Sequence, residues 1–194
     1  MTITYRVGGG LYVNMTNRCT NDCSFCIRKI GDSVGDAGSL WLDREPDRGE
    51  ILDDILRRGP AGYGEIVFCG FGEPTQRLDD LLWICGQLKQ TDPAPYIRVN
   101  TNGHASLIAG RDTAPEFFGL VDKLSISLNA ASAEEYDLLC RPVFGPDAYR
   151  GLLDFAAKVK AYVPEVTLSI VGGATDTEAC RAIAAGMGLQ FRVR

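Results

Sequence analysis

Leu11-Tyr12-Val13-Asn14-Met15-Thr16-Asn17-Arg18-Cys19-Thr20-Asn21-Asp22-Cys23-Ser24-Phe25-Cys26 runs from a short apolar strand straight into three cysteines spaced C-x3-C-x2-C. Three thiolates at this spacing wrap one face of an iron–sulfur cube. A cube held by cysteine alone takes four, so three leave one iron open to a ligand that is not protein. An open metal position marks a reactive site, by the logic that separates catalytic from structural zinc. The competing readings are a zinc knuckle or incidental thiols. A knuckle asks for a fourth ligand at zinc spacing, and His104 is the only histidine in the chain.

Before this stretch, residues 3–7 read as another short strand. Gly8-Gly9-Gly10 between the two is a tight hairpin or a flexible link. After it, residues 27–45 make a long irregular segment, rich in Gly and Asp from Gly31 to Gly38. Such loops are often functional or mobile, and this one is expected at the mouth of the site. From residue 46 onward, helix and strand alternate. Pro46 suits a first helical turn, Ile51, Leu52, Ile55 and Leu56 form one face, and Gly59 stops the helix. Strands are expected at 65–69, 97–101, 123–128, 166–171 and 189–193. Thr75 is a candidate cap for a helix with Leu78, Leu81, Leu82, Cys85 and Leu88 on one face. The segment 104–120 has a weaker helical signal, broken by Gly110 and Pro115. Ser132–Glu135 and Thr175–Glu178 read as capping boxes, and a helix is expected at about 147–161.

This alternation implies parallel pairing with right-handed crossovers. The fold class is α/β, about six βα units. An eight-fold barrel needs roughly 250 residues, so 194 residues fit a partial (βα)6 TIM barrel with parallel strands and outer helices. A doubly wound open sheet is the alternative. Residues 1–194 read as one domain: N-terminal strands at 1–16, cluster loop and mouth segment at 17–45, and βα units at 46–194.

Strand parity sharpens this. Ile97 and Val99 oppose Arg98 and Asn100; Leu124, Ile126 and Leu128 oppose Ser125, Ser127 and Asn129. Val166, Leu168 and Ile170 oppose Thr167, Ser169 and Val171, and Phe191 and Val193 oppose Arg192 and Arg194. Successive strand residues point to opposite faces. Strands buried on both faces would be apolar throughout; these have one apolar face and one small or polar face. A partial barrel accounts for the pattern, with helices outside and a polar concave side for a ligand. An antiparallel sheet with one wet face gives the same alternation, but the intervening helices argue against it.

Composition excludes several classes. Hydrophobic residues at 45% and charged residues at 23% are those of an ordinary globular chain. No run of 18 apolar residues is present, so no membrane partner is expected. A net charge of −5 argues against an extended nucleic-acid surface. Seven cysteines without an apolar leader suggest a reducing cytoplasmic location, with metal-bound or buried thiols.

The cysteine spacing, with an aromatic before the third Cys, resembles the radical SAM superfamily, and the resemblance covers nearly the whole chain. Gly70-Phe71-Gly72-Glu73-Pro74 looks like that family's glycine–glutamate motif, which meets the amino group of S-adenosylmethionine. Asn100-Thr101-Asn102-Gly103 and Ser125-Ile126-Ser127-Leu128-Asn129 resemble its cofactor-contacting strand ends. Barrel folds keep their chemistry at strand C-terminal ends. The phrases at 11–19, 68–75 and 125–130 are similar to a narrower group, the TatD-associated radical SAM proteins, whose association suggests a functional link to a TatD-type nuclease.

The resemblance implies a 4Fe-4S cluster on Cys19, Cys23 and Cys26, with S-adenosylmethionine on the fourth iron. Reductive cleavage would yield a 5′-deoxyadenosyl radical that abstracts hydrogen from an unidentified small-molecule, peptide or nucleoside substrate. A flavodoxin- or ferredoxin-like electron donor is the implied partner. Gly72, Glu73, Asn100, Ser127 and Asn129 are the implied cofactor contacts; Phe25 and Val171 would lie near the adenine. Arg141, Arg192 or Arg194 would offer a fork to a carboxylate or phosphate. The alternatives are an activase that places a radical on a partner protein and a non-catalytic iron–sulfur electron carrier. Elsewhere, His104 reads as a helix-start residue, and Cys69, Cys85, Cys140 and Cys180 as small buried residues. The acidic run Asp43, Glu45, Asp47, Glu50, Asp53, Asp54 reads as a solvated helix face.

Overall fold

The computed structural model describes all 194 residues. The chain is α/β, parallel pairing dominates, and it divides into two compact units.

The first unit comprises residues 1–19, 27–100 and 120–122. Its strands are β1 (Thr4–Val7), β2 (Gly10–Val13), β3 (Glu65–Phe68) and β4 (Ile97–Thr101). β1 and β2 pair antiparallel, so the glycines between them are a hairpin. β2, β3 and β4 pair parallel in chain order, with Leu11 beside Ile66 and Ile66 beside Ile97. That register gathers Leu11, Val13, Ile66, Phe68, Ile97 and Val99 on one face, all fully buried. Helices α1 (Arg48–Arg57) and α2 (Leu78–Lys89) bury Ile51, Ile55, Leu81, Ile84 and Leu88. The other face carries Tyr12, Glu65 and Arg98, where Arg98 Nη2 meets Glu65 at 2.7 Å and the Tyr12 hydroxyl at 3.1 Å.

The second unit comprises residues 20–26, 101–119 and 123–194. It holds β5 (Lys123–Ser127), β6 (Glu165–Ile170) and β7 (Gln190–Val193), again parallel and in chain order. Its helices are α3 (Ala105–Ala109), α4 (Ala133–Cys140), α5 (Asp147–Val159) and α6 (Thr177–Gly186). Leu124, Ile126, Val166, Leu168 and Ile170 make the apolar face; Ser125, Ser127, Thr167 and Ser169 make the small polar one. The expected parity is therefore present in both units.

The helix starts differ from expectation. Pro46 precedes α1; Asp47 caps it, in a reciprocal box with Glu50. Asp176, not Thr175, caps α6, because its carboxylate reaches the N–H groups of both Glu178 and Ala179. Ser132 caps α4 as expected, but the Glu135 carboxylate accepts from the Ala131 N–H, so the box is not reciprocal. Three of the four remaining cysteines are buried; Cys69 is partly buried.

Candidate functional site

The cysteine loop begins where β2 ends. Beyond Val13 the chain runs alongside residues 69–73: the Cys69 N–H donates to the Val13 carbonyl at 3.0 Å, and the Glu73 N–H to the Arg18 carbonyl at 2.8 Å. The intervening carbonyls are also received. Arg77 Nη1 donates to Met15 O at 2.9 Å and Arg28 Nη1 to Asn17 O at 3.3 Å. Gly70 and Gly72 make this approach possible. A Cβ on Gly70 would stand 2.7 Å from Asn14 Cγ, and one on Gly72 2.6 Å from Arg18 O. Their first duty is thus to let chain meet chain.

The segment 36–45 straps the same stretch. Asn14 Nδ2 donates to Leu40 O at 2.7 Å; Asn17 donates to Leu42 O and accepts from the Leu42 N–H. Glu45 accepts from the Thr16 hydroxyl and grips Arg18 with both oxygens, at 2.8 and 3.0 Å. Burial pushes the Glu45 carboxyl up, but the Arg18 and Thr16 hydrogen bonds prevail and hold it below the usual carboxylate range. Leu40 is buried with Tyr5 and Phe71 in a small core. The acidic run is solvated as expected, with Asp43, Glu45, Asp47 and Asp53 exposed, and it also bonds: Glu45 clamps the loop entry, Asp47 and Glu50 cap α1, and Asp54 accepts from Thr4. The mouth segment is tied down because its backbone at Leu40 and Leu42 bonds the Asn14 and Asn17 side chains and Glu45 bonds those of Thr16 and Arg18.

Glu73 is 4% exposed. Its Oε1 accepts from the Thr75 N–H at 3.1 Å and the Thr75 hydroxyl at 2.8 Å. Thr75 is therefore the donor to the cap, not the cap. Asn100 lies at the end of β4; its Oδ1 is shielded from solvent and meets no protein donor. A buried amide oxygen left so costs about 1–3 kcal/mol.

In the second unit, the remainder of the loop lies along the end of α4. The Asp22 N–H donates to Cys140 O at 3.0 Å and the Ser24 N–H to Leu139 O at 2.9 Å. Arg141 follows α4 with φ at 44°; its side chain is 58% exposed and stands 3.8 Å from Asp22. Phe25 is half-buried. Ser127 and Asn129 do come together: Arg194 Nη2 reaches Ser127 Oγ at 3.2 Å and Asn129 Oδ1 at 3.4 Å. Asn129 takes φ of 55°, a left-handed conformation that Asn tolerates. Val171 lies in the turn after β6, its carbonyl accepting from the Ala174 N–H.

His104 does start α3, as expected, and is also the centre of a buried network that sequence reading missed. Its Nδ1 is 3.2 Å from Thr20 Oγ1 and its Nε2 3.3 Å from the Tyr136 hydroxyl. Burial holds the imidazole pKa down, at about 4. Asn102, beside it, donates to Thr20 Oγ1 at 2.8 Å, so this Asn serves the loop. The available signal was the lone histidine directly after the Asn102-Gly103 turn.

The donor set suits an iron–sulfur cluster. Cys19, Cys23 and Cys26 are partly buried, none is in a disulfide, and thiolates are the ligands such clusters take. No three His, Cys, Asp or Glu side chains converge on one ion position; a cluster face asks each thiolate to meet its own iron.

A model of the Radical SAM superfamily matches residues 13–185. A protein named "Probable RNA methyltransferase" from Sorangium cellulosum is 31% identical over 58% of this chain and 27% of its own length. GTP 3′,8-cyclase from Streptomyces coelicolor is 28% identical over 97% of this chain and 52% of its own. The solved structure of a radical SAM methyltransferase from Sphaerobacter thermophilus has the same fold, with a TM-score of 0.67 at 23% identity; the match covers 95% of this chain and 54% of that one. The chain thus spans about half or less of the length of these proteins.

Proposed function

This chain belongs to the radical SAM superfamily, and on that premise we propose that it is an enzyme that binds a 4Fe-4S cluster through Cys19, Cys23 and Cys26, with S-adenosylmethionine at the open iron. The observation that carries the reading is the placement of Glu73. A buried carboxylate hangs from a backbone N–H bonded to Arg18, the residue before Cys19. An ionised carboxylate only accepts, and an ammonium beside the loop supplies donors that it can take.

When bound, the cluster and cofactor supply a one-electron cleavage and hydrogen abstraction; the protein supplies position and dryness. Glu73 accepts from the cofactor's ammonium, with the Thr75 cap holding the carboxylate in place. Asn100 Oδ1 receives a ligand N–H or O–H. Ser127 and Asn129 meet the ribose, Phe25 and Val171 flank the adenine, and Arg141 meets an anionic group. Gly72 contributes by keeping Glu73 close to the loop.

Residues 1–194 form one core domain in this reading. The substrate is a small molecule, nucleoside or peptide, and the electron donor is flavodoxin- or ferredoxin-like. The phrases at 11–19, 68–75 and 125–130 support membership of the TatD-associated group and a functional link to a TatD-type nuclease. A cytoplasmic location is supported by seven cysteines with no disulfide; no helix is long and apolar enough to cross a membrane.

The test is anaerobic reconstitution, reduction and addition of S-adenosylmethionine, with 5′-deoxyadenosine as the readout. The product should form with wild type, and Cys23→Ala should lose both cluster and product. An intact, reduced cluster that never yields 5′-deoxyadenosine, with or without substrate-bearing extract, sinks the enzyme reading.

A further inference from the structure

Thr20, Asn21, Asn102, His104 and Tyr136 form one buried hydrogen-bonded group inside the second unit. Asn102 Nδ2 donates to Thr20 Oγ1 at 2.8 Å, and Thr20 Oγ1 lies against His104 Nδ1 at 3.2 Å. The other ring nitrogen faces the Tyr136 hydroxyl at 3.3 Å, which also accepts from Asn21 Nδ2 at 2.9 Å. His104 is fully buried, and Tyr136 and Phe144 pack edge-on against its ring.

A neutral imidazole offers one N–H and one lone pair. Such a ring can bridge two hydroxyls, donating to one and accepting from the other, and the Ala148 backbone also bonds it. The two hydroxyls lead to consecutive residues of the cysteine loop: directly to Thr20, and through Tyr136 to Asn21. Backbone bonds complete the hold, with the Val143 N–H donating to Thr20 O at 2.8 Å beside the Asp22 and Ser24 bonds to α4. None of these side chains is a cluster ligand. The loop they brace carries Cys23 and Cys26, and thiolates that serve separate irons need fixed starting points.

We infer that His104 is a positioning residue for the cluster: acting through Thr20 and the Tyr136–Asn21 pair, it fixes the loop that presents Cys23 and Cys26. The inference rests on the cluster reading above. Supporting partners around a metal site typically change affinity by 10–100-fold when removed, which sets the scale of effect to look for.

The test uses reconstituted wild type, Thr20→Val, Thr20→Ser and His104→Gln. Wild type must first show cluster iron, sulfide and a reduced-cluster EPR spectrum; failure there sinks the proposed function and is visible before any variant is compared. Three quantities are then measured: iron loss to a chelator, EPR g-values and midpoint potential. Thr20→Val, which removes the hydroxyl at nearly constant volume, and His104→Gln should lose iron roughly 10–100-fold faster and shift the EPR spectrum. Thr20→Ser, which keeps the hydroxyl, should match wild type in rate and spectrum. Far-UV circular dichroism establishes that each variant is folded. Should His104→Gln fail to fold, Thr20→Val decides, because it leaves the ring in place. Wild-type rate, spectrum and potential in folded Thr20→Val overturn the inference.

Discussion

Gly72 and Arg18 approach so closely that a Cβ on Gly72 would stand 2.6 Å from the Arg18 carbonyl oxygen. The obstacle is backbone, and it lies one residue before Cys19. A side chain at position 72 must push the loop entry away from Glu73, whose N–H bonds that same carbonyl.

Gly72→Ala should therefore be costly well beyond its single methyl. Overpacking a tight site costs about 1–3 kcal/mol, and this strain falls directly on the cysteine loop. Urea unfolding should show the loss, and iron content after reconstitution should fall with it. Gly62→Ala is the control: a Cβ there meets nothing within 4 Å. Equal stability and iron content for the two variants would refute the packing role.

Glu45 holds Arg18 and Thr16 from the opposite side. Glu45→Gln should cost about 1 kcal/mol at neutral pH, near the upper end for an exposed ion pair. The Glu45 carboxyl is held below its ordinary pKa in the folded state. Its contribution is thus present above the unfolded carboxyl's pKa of 4.5 and fades as pH falls through the folded one. Thermal unfolding of wild type and variant should differ at pH 7 and converge in acid.

His104 also costs stability as pH falls, but because its buried ring resists gaining charge. The unfolded imidazole takes a proton near 6.5, whereas the folded one resists until about 4. Between those values the unfolded state binds more protons, so stability falls as pH drops from 6.5 toward 4 and then levels off. The difference of about 2.5 units corresponds to about 3 kcal/mol. Urea unfolding of wild type and His104→Gln at matched pH should show a gap that narrows by this order across the window. A gap that stays constant would contradict a buried neutral ring.

Glu73→Gln keeps an oxygen for the Thr75 cap and removes the charge that the cofactor's ammonium would meet. A hydrogen bond to a charged group is worth about 1.5–3 kcal/mol, so S-adenosylmethionine should bind about ten- to a hundredfold more weakly to the reconstituted protein. The cluster's spectrum before cofactor addition should stay unchanged. Unaltered binding by equilibrium titration would remove Glu73 from the cofactor seat.

Much of this protein was determined by features that neighbours in sequence carry between them. The strand–helix rhythm and the two faces of β4 to β7 are periodic, and they read correctly from the chain alone; the spacing of Cys19, Cys23 and Cys26 is contiguous and legible in the same way. The helix starts at Asp47 and Asp176 were less legible, because several adjacent residues had the right chemistry and only backbone geometry chose among them. Tertiary structure alone decided what Gly72, Glu45 and His104 do. Arg18 meets Glu45 across 27 positions, Thr20 meets His104 across 84, and Asn21 meets Tyr136 across 115. A hydrogen bond or a forbidden Cβ at such separations leaves no periodicity behind; it exists only once the strands have brought the two backbones within reach.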